Sequence, residues 1–183
     1  MIPRLRSRSS FRRRAGALPV LPLTAALLTS TVALYMALVA FGNITDFDTN
    51  RAFVHHVLAM DTTFKDPDLT WRAIDSTALQ DIAYVLIIAW ETVAAVVLVA
   101  AGAVWARALR GGGGFARARR LSTMGLLMVL LLFGAGFIAV GGEWFAMWQS
   151  KTWNGLDAAI RDFLLAGVTL LVVHLPGVEE RDV

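Results

Sequence analysis

Apolar positions gather into four runs, at residues 18–41, 80–105, 121–140 and 156–175, with polar positions concentrated between them. A hydrocarbon core about 30 Å thick takes about 20 apolar residues in helical form, and each run meets or nearly meets that length. The pattern predicts an all-α fold, a four-helix transmembrane bundle within residues 15–177. Residues 1–14, rich in Arg and Ser and without apolar period, read as a disordered tail, and residues 178–183 as a second tail. Pro19 and Pro22 suit the entry of the first helix. Its apolar stretch exceeds the roughly 7–15 residues of a cleaved signal peptide, and no small-x-small site follows it, so it reads as a retained span. Within it Ala25, Thr29, Ala33 and Ala37 recur every four residues and share one face. Small residues there admit another helix at close range, either in the chain's own bundle or in a homo-oligomer.

The polar segments carry start signals of their own. In segment 43–79, Asn50 stands in cap position before an apolar stripe of Phe53, Val54, Val57 and Leu58. Asp66-Pro67 reads as a second start, and Thr77 with Gln80 has capping-box spacing at the mouth of the second span. One or two short interfacial helices are expected there. Gly111 to Gly114 reads as a flexible break between the second and third spans. Asn154, three residues before Asp157, suits the start of the fourth helix. Segments 43–79 and 141–155 are expected to pack together as a cap.

Composition supports this reading. Only 17% of residues are charged, against about 25% in soluble domains, and the deficit lies in the four runs. The net charge is +3, but its placement matters more. Arg4, Arg6, Arg8, Arg12, Arg13 and Arg14 precede the first run, and Arg107, Arg110, Arg117, Arg119 and Arg120 lie between the second and third. Segment 43–79 is instead rich in Asp. Lys and Arg mark the cytoplasmic side, so both termini are expected inside and segments 43–79 and 141–155 outside. Trp71, Trp144, Trp148 and Trp153 all fall near the outer interface on that topology, where indoles prefer to sit. Arg beside a span is a topology and anionic-lipid signal, so no nucleic-acid partner is expected. The absence of cysteine excludes disulfides, thiolate nucleophiles and sulfur-ligated metal sites.

Glu91 is the foremost chemical candidate, because it interrupts the second run near its middle. An Asp at a helix centre costs about 2.5–3.5 kcal/mol by insertion scales, so such residues usually face the bundle interior. Two readings follow: a proton-relay or partner-binding carboxyl, or a neutral carboxyl bonded to a neighbouring span. Glu143, beside Trp144 and near Trp148 and Trp153, gives a second candidate, either a binding patch or an aromatic belt with an incidental acid. His55 and His56 are adjacent and point about 100° apart on a helix, so they do not form an i, i+4 zinc pair. A site of His55 or His56 with a nearby Asp is the remaining metal reading. Asp46, Asp48 and Asn50 imitate the start of a calcium loop, but Arg51 stands where Gly is needed and Val57 where Glu is needed. No self-sufficient catalytic, cofactor or metal motif is present, and no cofactor is expected.

Asn43-Ile-Thr-Asp46, Phe53-Val-His-His56, Asp61-Thr-Thr-Phe64, Trp71-Arg72, Gly141-Gly-Glu-Trp-Phe-Ala-Met-Trp-Gln-Ser150 and Trp153-Asn-Gly155 resemble the small integral membrane proteins of domain-of-unknown-function family 2165. The resemblance spans roughly residues 25–175. It implies a bacterial inner-membrane location and four spans, and no established activity. Three functions remain open. The leading one is a non-enzymatic accessory subunit that binds another membrane protein through the cap and the Ala25, Thr29, Ala33 and Ala37 face. The second is a small transporter or proton-coupled carrier using Glu91, which requires a cavity reaching that carboxyl. The third is an enzyme whose Glu143 converges with Asp46 or Asp61, within hydrogen-bond reach or through one water.

Overall fold

The structure is a computed structural model and describes residues 20–176. The two expected tails, Pro19 and the start of the first run lie outside the described residues. Among the described residues the fold is helical throughout, with no strand. The elements are α1 (Val20–Thr45), α2 (Phe47–Ala59), α3 (Pro67–Thr70), α4 (Thr77–Arg107), α5 (Phe115–Leu130) and α6 (Leu156–Val173). A wider π-type helix, Leu131–Trp144, continues α5. Three helices are long and apolar enough to cross a membrane: Val20–Thr45, Thr77–Gly112 and Phe115–Trp144. α6 is the fourth long helix, but Asp157, Arg161 and Asp162 occupy its first two turns.

The helices pack as a closed ring, with α1 on α4, α4 on α5, α5 on α6 and α6 back on α1. The inward stripe recurs in heptads. On α1 it runs Pro22, Thr29, Met36 and Asn43, with Ala26, Ala33 and Ala40 alongside. On α4 it runs Tyr84, Glu91, Leu98 and Trp105. A spacing of 3.5 residues keeps one seam facing its partners over many turns. The expected four-residue stripe of α1 is therefore only approximate. Ala25, Thr29 and Ala33 are buried within the chain's own bundle, while Ala37 is partly buried against that core.

Away from the loops Ser122 gathers three polar contacts, while the Trp90 indole donates from α4 to the Met128 carbonyl of α5 at 2.9 Å. Ser122 of α5 accepts from the Trp105 indole N–H at 2.9 Å and the Thr29 hydroxyl at 3.3 Å, and donates to the Ala118 carbonyl. α4 and α5 are joined by a turn in which Gly111, Gly113 and Gly114 take φ of 87°, 67° and 98°. L side chains rarely adopt those angles, so the glycine run makes a defined reversal of the chain.

At the other end, α2 starts at Phe47, with Asp46 before it. Asn50 thus lies inside α2 and is not its cap. Asp66 caps α3 as expected, accepting from the Asp68 N–H at 2.9 Å. Ser76, not Thr77, precedes α4, and Gln80 reaches the Ile74 carbonyl rather than closing a capping box. Segments 43–79 and 141–155 pack on each other. Met60, Phe145 and Ala146 form a small apolar core, and Thr62 donates to Ser150 at 2.8 Å while Gln149 accepts from the Phe64 N–H at 2.9 Å.

Close packing of α4 on α5 depends on Gly125, where an added Cβ would lie 2.6 Å from Leu98 Cγ. Gly125→Ala is expected to cost about 1–3 kcal/mol through overpacking. Gly136→Ala, where nothing lies nearer than 3.9 Å, is expected to stay close to the parent. Thermal unfolding in a mild detergent measures both.

Candidate functional site

Glu91 and Asp162 owe their burial to the inward stripes. On α6 the buried positions are Ala159, Asp162, Ala166, Thr169 and Val173, alternating steps of three and four residues. A polar residue at such a position points into the bundle whatever its transfer cost, and there it needs an internal partner. Glu91 is 2% exposed and Asp162 4%. Glu91 Oε2 accepts from Asn43 Nδ2 at 2.6 Å. Asn43 Oδ1 accepts in turn from Asn50 Nδ2 at 2.6 Å, and the Asn43 carbonyl from the Tyr84 hydroxyl at 3.2 Å. Asp162 Oδ1 accepts from the Tyr35 hydroxyl at 2.7 Å. Arg161 Nε lies 3.7 Å from the same oxygen, but Arg161 is 71% exposed and reaches it from the solvent side.

Both carboxyl groups line one cavity of about 240 Å³. Asn43, Asn50 and Tyr84 complete its polar lining, and Phe53, Phe133 and Phe137 supply aromatic walls. Glu91 Oε1 and Asp162 Oδ2 have no hydrogen-bond donor among the described residues. Asn50 and Ala158 are exposed, so the cavity reaches the surface beside α2 and the start of α6. The lining therefore combines carboxyl oxygens with aromatic rings, a composition that suits positive charge.

α2 covers this cavity and is latched to α4. Arg51 donates to Asp81 through Nε at 2.6 Å and Nη2 at 2.8 Å, and His55 Nε2 lies 2.7 Å from Asp81 Oδ1. The Asp81 hydrogen bond holds the Arg51 guanidinium above its ordinary pKa, with desolvation acting the other way. His55 is thus a hydrogen-bond partner of Asp81, and no group of three or more metal-ligating side chains occurs among the described residues.

The remaining sequence candidates disperse. Asp46 accepts from Thr49, and Asp61 pairs with His56 at 2.7 Å. Glu143 is exposed, and among the described residues it forms no hydrogen bond with either Asp46 or Asp61, whose partners are Thr49 and His56. Trp144 packs edge-on to Trp71, with the Arg72 guanidinium 4.8 Å above its ring. Trp148 packs on Phe64, and Trp153 stacks on His56 at 4.6 Å. Each indole therefore ties the second loop to a different residue of the first. Asn43, Tyr84 and Asp162 were not legible as site residues. The signal that places Asp162 inward is its register with Ala159, Ala166 and Val173.

Asp81→Asn is expected to loosen the latch without unfolding the bundle. Hydrogen exchange should speed up at the backbone amides of residues 47–59 and stay unchanged in the buried turns of α4 and α5.

No curated protein and no solved structure matches the chain. A family described as "Predicted small integral membrane protein (DUF2165)" matches residues 21–176. With an all-helical bundle and apolar helices of membrane-crossing length, and a match over most of its length, the chain belongs to this family of small integral membrane proteins.

Proposed function

We propose that the protein is a four-span carrier of a bacterial inner membrane that takes a small organic amine between Glu91 and Asp162. One observation carries the reading: two buried carboxyl groups, on separate helices, line a single cavity and each keeps an oxygen free of hydrogen bonds. An ammonium group supplies further donors to both carboxyl groups and offsets the burial of Glu91, whose partner Asn43 is neutral, whereas Asp162 already faces Arg161. The aromatic walls add attraction for the same cation. The carboxyl that sequence singled out by its cost is on this reading the site's anchor, and Asp162 is its partner.

The four-span topology is supported by α6, which packs beside α1 and α5 with its charged residues confined to one end. Both termini and the turn that holds Arg110 and leads to Arg117 at the start of α5 are then cytoplasmic, with the cavity mouth on the far side. The chain has no cysteine, so single cysteines report sidedness cleanly. Asp68→Cys is expected to react with a membrane-impermeant maleimide in spheroplasts, and Gly113→Cys only after lysis. The reverse pattern overturns the orientation.

A second reading, an accessory subunit of a membrane complex, is supported by the exposed Phe64, Trp71, Trp144 and Trp148 at the same end. Aromatic residues are enriched at protein interfaces, and also at the lipid boundary. Purification in mild detergent tests it: a stoichiometric membrane partner favours the subunit reading.

Amine binding is tested on the full chain in lipid nanodiscs by titration calorimetry with butylamine, with empty nanodiscs subtracted. Saturable binding is expected, weakened at least tenfold in Glu91→Gln and in Asp162→Asn. Absence of saturable binding, or indifference to both substitutions, overturns the proposal.

A further inference from the structure

An apolar groove of about 320 Å³ lies directly beside the cation cavity. Phe53, Val54, Ile87 and Phe137 line both. These four side chains are a shared wall, with the Phe53 and Phe137 rings stacked at 6.4 Å. On one side of it stand Glu91 and Asp162; on the other the lining is apolar and includes Val57, Ala83, Leu132 and Gly136. Leu86 and Val140 also line the groove and are exposed, so it opens on the apolar outer surface of the bundle, where lipid lies. Ligand pockets usually hold about 300–1,000 Å³. The cavity alone falls below that range and the groove only at its edge, while the two together fall inside it.

From this adjacency we infer that the ligand is a single-chain cationic amphiphile, whose ammonium head lies between Glu91 and Asp162 and whose hydrocarbon chain lies in the groove. The inference rests on the amine-site reading and names its substrate class. Charge complementarity fixes the head, because two carboxyl groups repel an anionic or phosphate-bearing head. The apolar lining fixes the tail, because a polar chain would lose its hydrogen bonds there. A ligand spanning the two compartments crosses the shared wall, so Phe53, Val54, Ile87 and Phe137 have to give way to it. Phe53 lies on α2, the helix held by the Arg51–Asp81 latch, and Phe137 on the π-type segment that follows α5.

The test compares butylamine, dodecylamine and laurate on the full chain in nanodiscs, again by calorimetry. Two substitutions fill the groove without touching a carboxyl: Ala83→Phe, and Gly136→Leu, where an added Cβ meets nothing nearer than 3.9 Å. Dodecylamine is expected to bind at least tenfold more tightly than butylamine, and laurate not to bind. Either groove substitution should remove the chain-length advantage and leave butylamine affinity unchanged, and the unaltered butylamine binding also certifies that the variant is folded. Equal affinities for the two amines, or a chain-length advantage that survives both groove substitutions, overturns the amphiphile and leaves the amine site standing. Failure of both amines overturns the amine site and this inference with it, and tight laurate binding replaces the cationic head by an anionic one and overturns it as well.

Discussion

The hydrocarbon of a bilayer accepts and donates no hydrogen bonds, so every polar group on an inward stripe must find its partner inside the bundle. The two ends of this bundle meet that constraint differently. Toward the glycine turn, Ser122 uses its oxygen three times and leaves the Trp105 and Thr29 groups satisfied. Toward the loops, Glu91, Asn43, Tyr84, Tyr35 and Asp162 satisfy one another only in part. The first network is closed on itself, and the second borders a cavity. The proposed chemistry sits where internal pairing runs short.

The cap over the cavity is built with more backbone constraint than the helices below it. Met60 and Ala146, both buried, hold φ of 50° and 52°, and Lys65 holds 60°. Such conformations cost of order 1–3 kcal/mol in non-glycine residues and persist where surrounding structure over-determines them. Here that structure is the contact between segments 43–79 and 141–155, where Met60 and Ala146 share one apolar core. Indoles reinforce it at three separate points. The same loops that carry the family resemblance thus act by fastening the cover of the cavity.

Hydropathy made the bundle legible, because lipid imposes a length and an apolarity that composition cannot disguise. Glu91 was legible for the opposite reason: it violates its surroundings. Asp162 was not, since Asp157 and Arg161 stand beside it and make it resemble an ordinary polar helix entry. Only the heptad register, which has to be counted from residues deeper in α6, turns it inward. Asn50 has the residue type of a cap, but α1 ends later than its apolar run and α2 begins early, so the side chain meets Asn43 instead. The tryptophans were legible as a group by composition and separated in the fold, because their neighbours are fixed by the path of the loops.

The wide sequence separation of the polar contacts also sets an order of assembly. Asn43 and Glu91 are 48 residues apart, and Tyr35 and Asp162 are 127 apart. At about 5–20 residues per second of synthesis, Glu91 follows Asn43 by roughly 2–10 s, and Asp162 follows Tyr35 by roughly 6–25 s. Until then α1, α4 and α5 form an open arc, with the Tyr35 hydroxyl turned toward a gap that only the last helix fills. A nascent chain stalled before α6 therefore leaves the Tyr35 hydroxyl without its carboxyl acceptor, while Glu91, on the middle helix of the arc, already has Asn43.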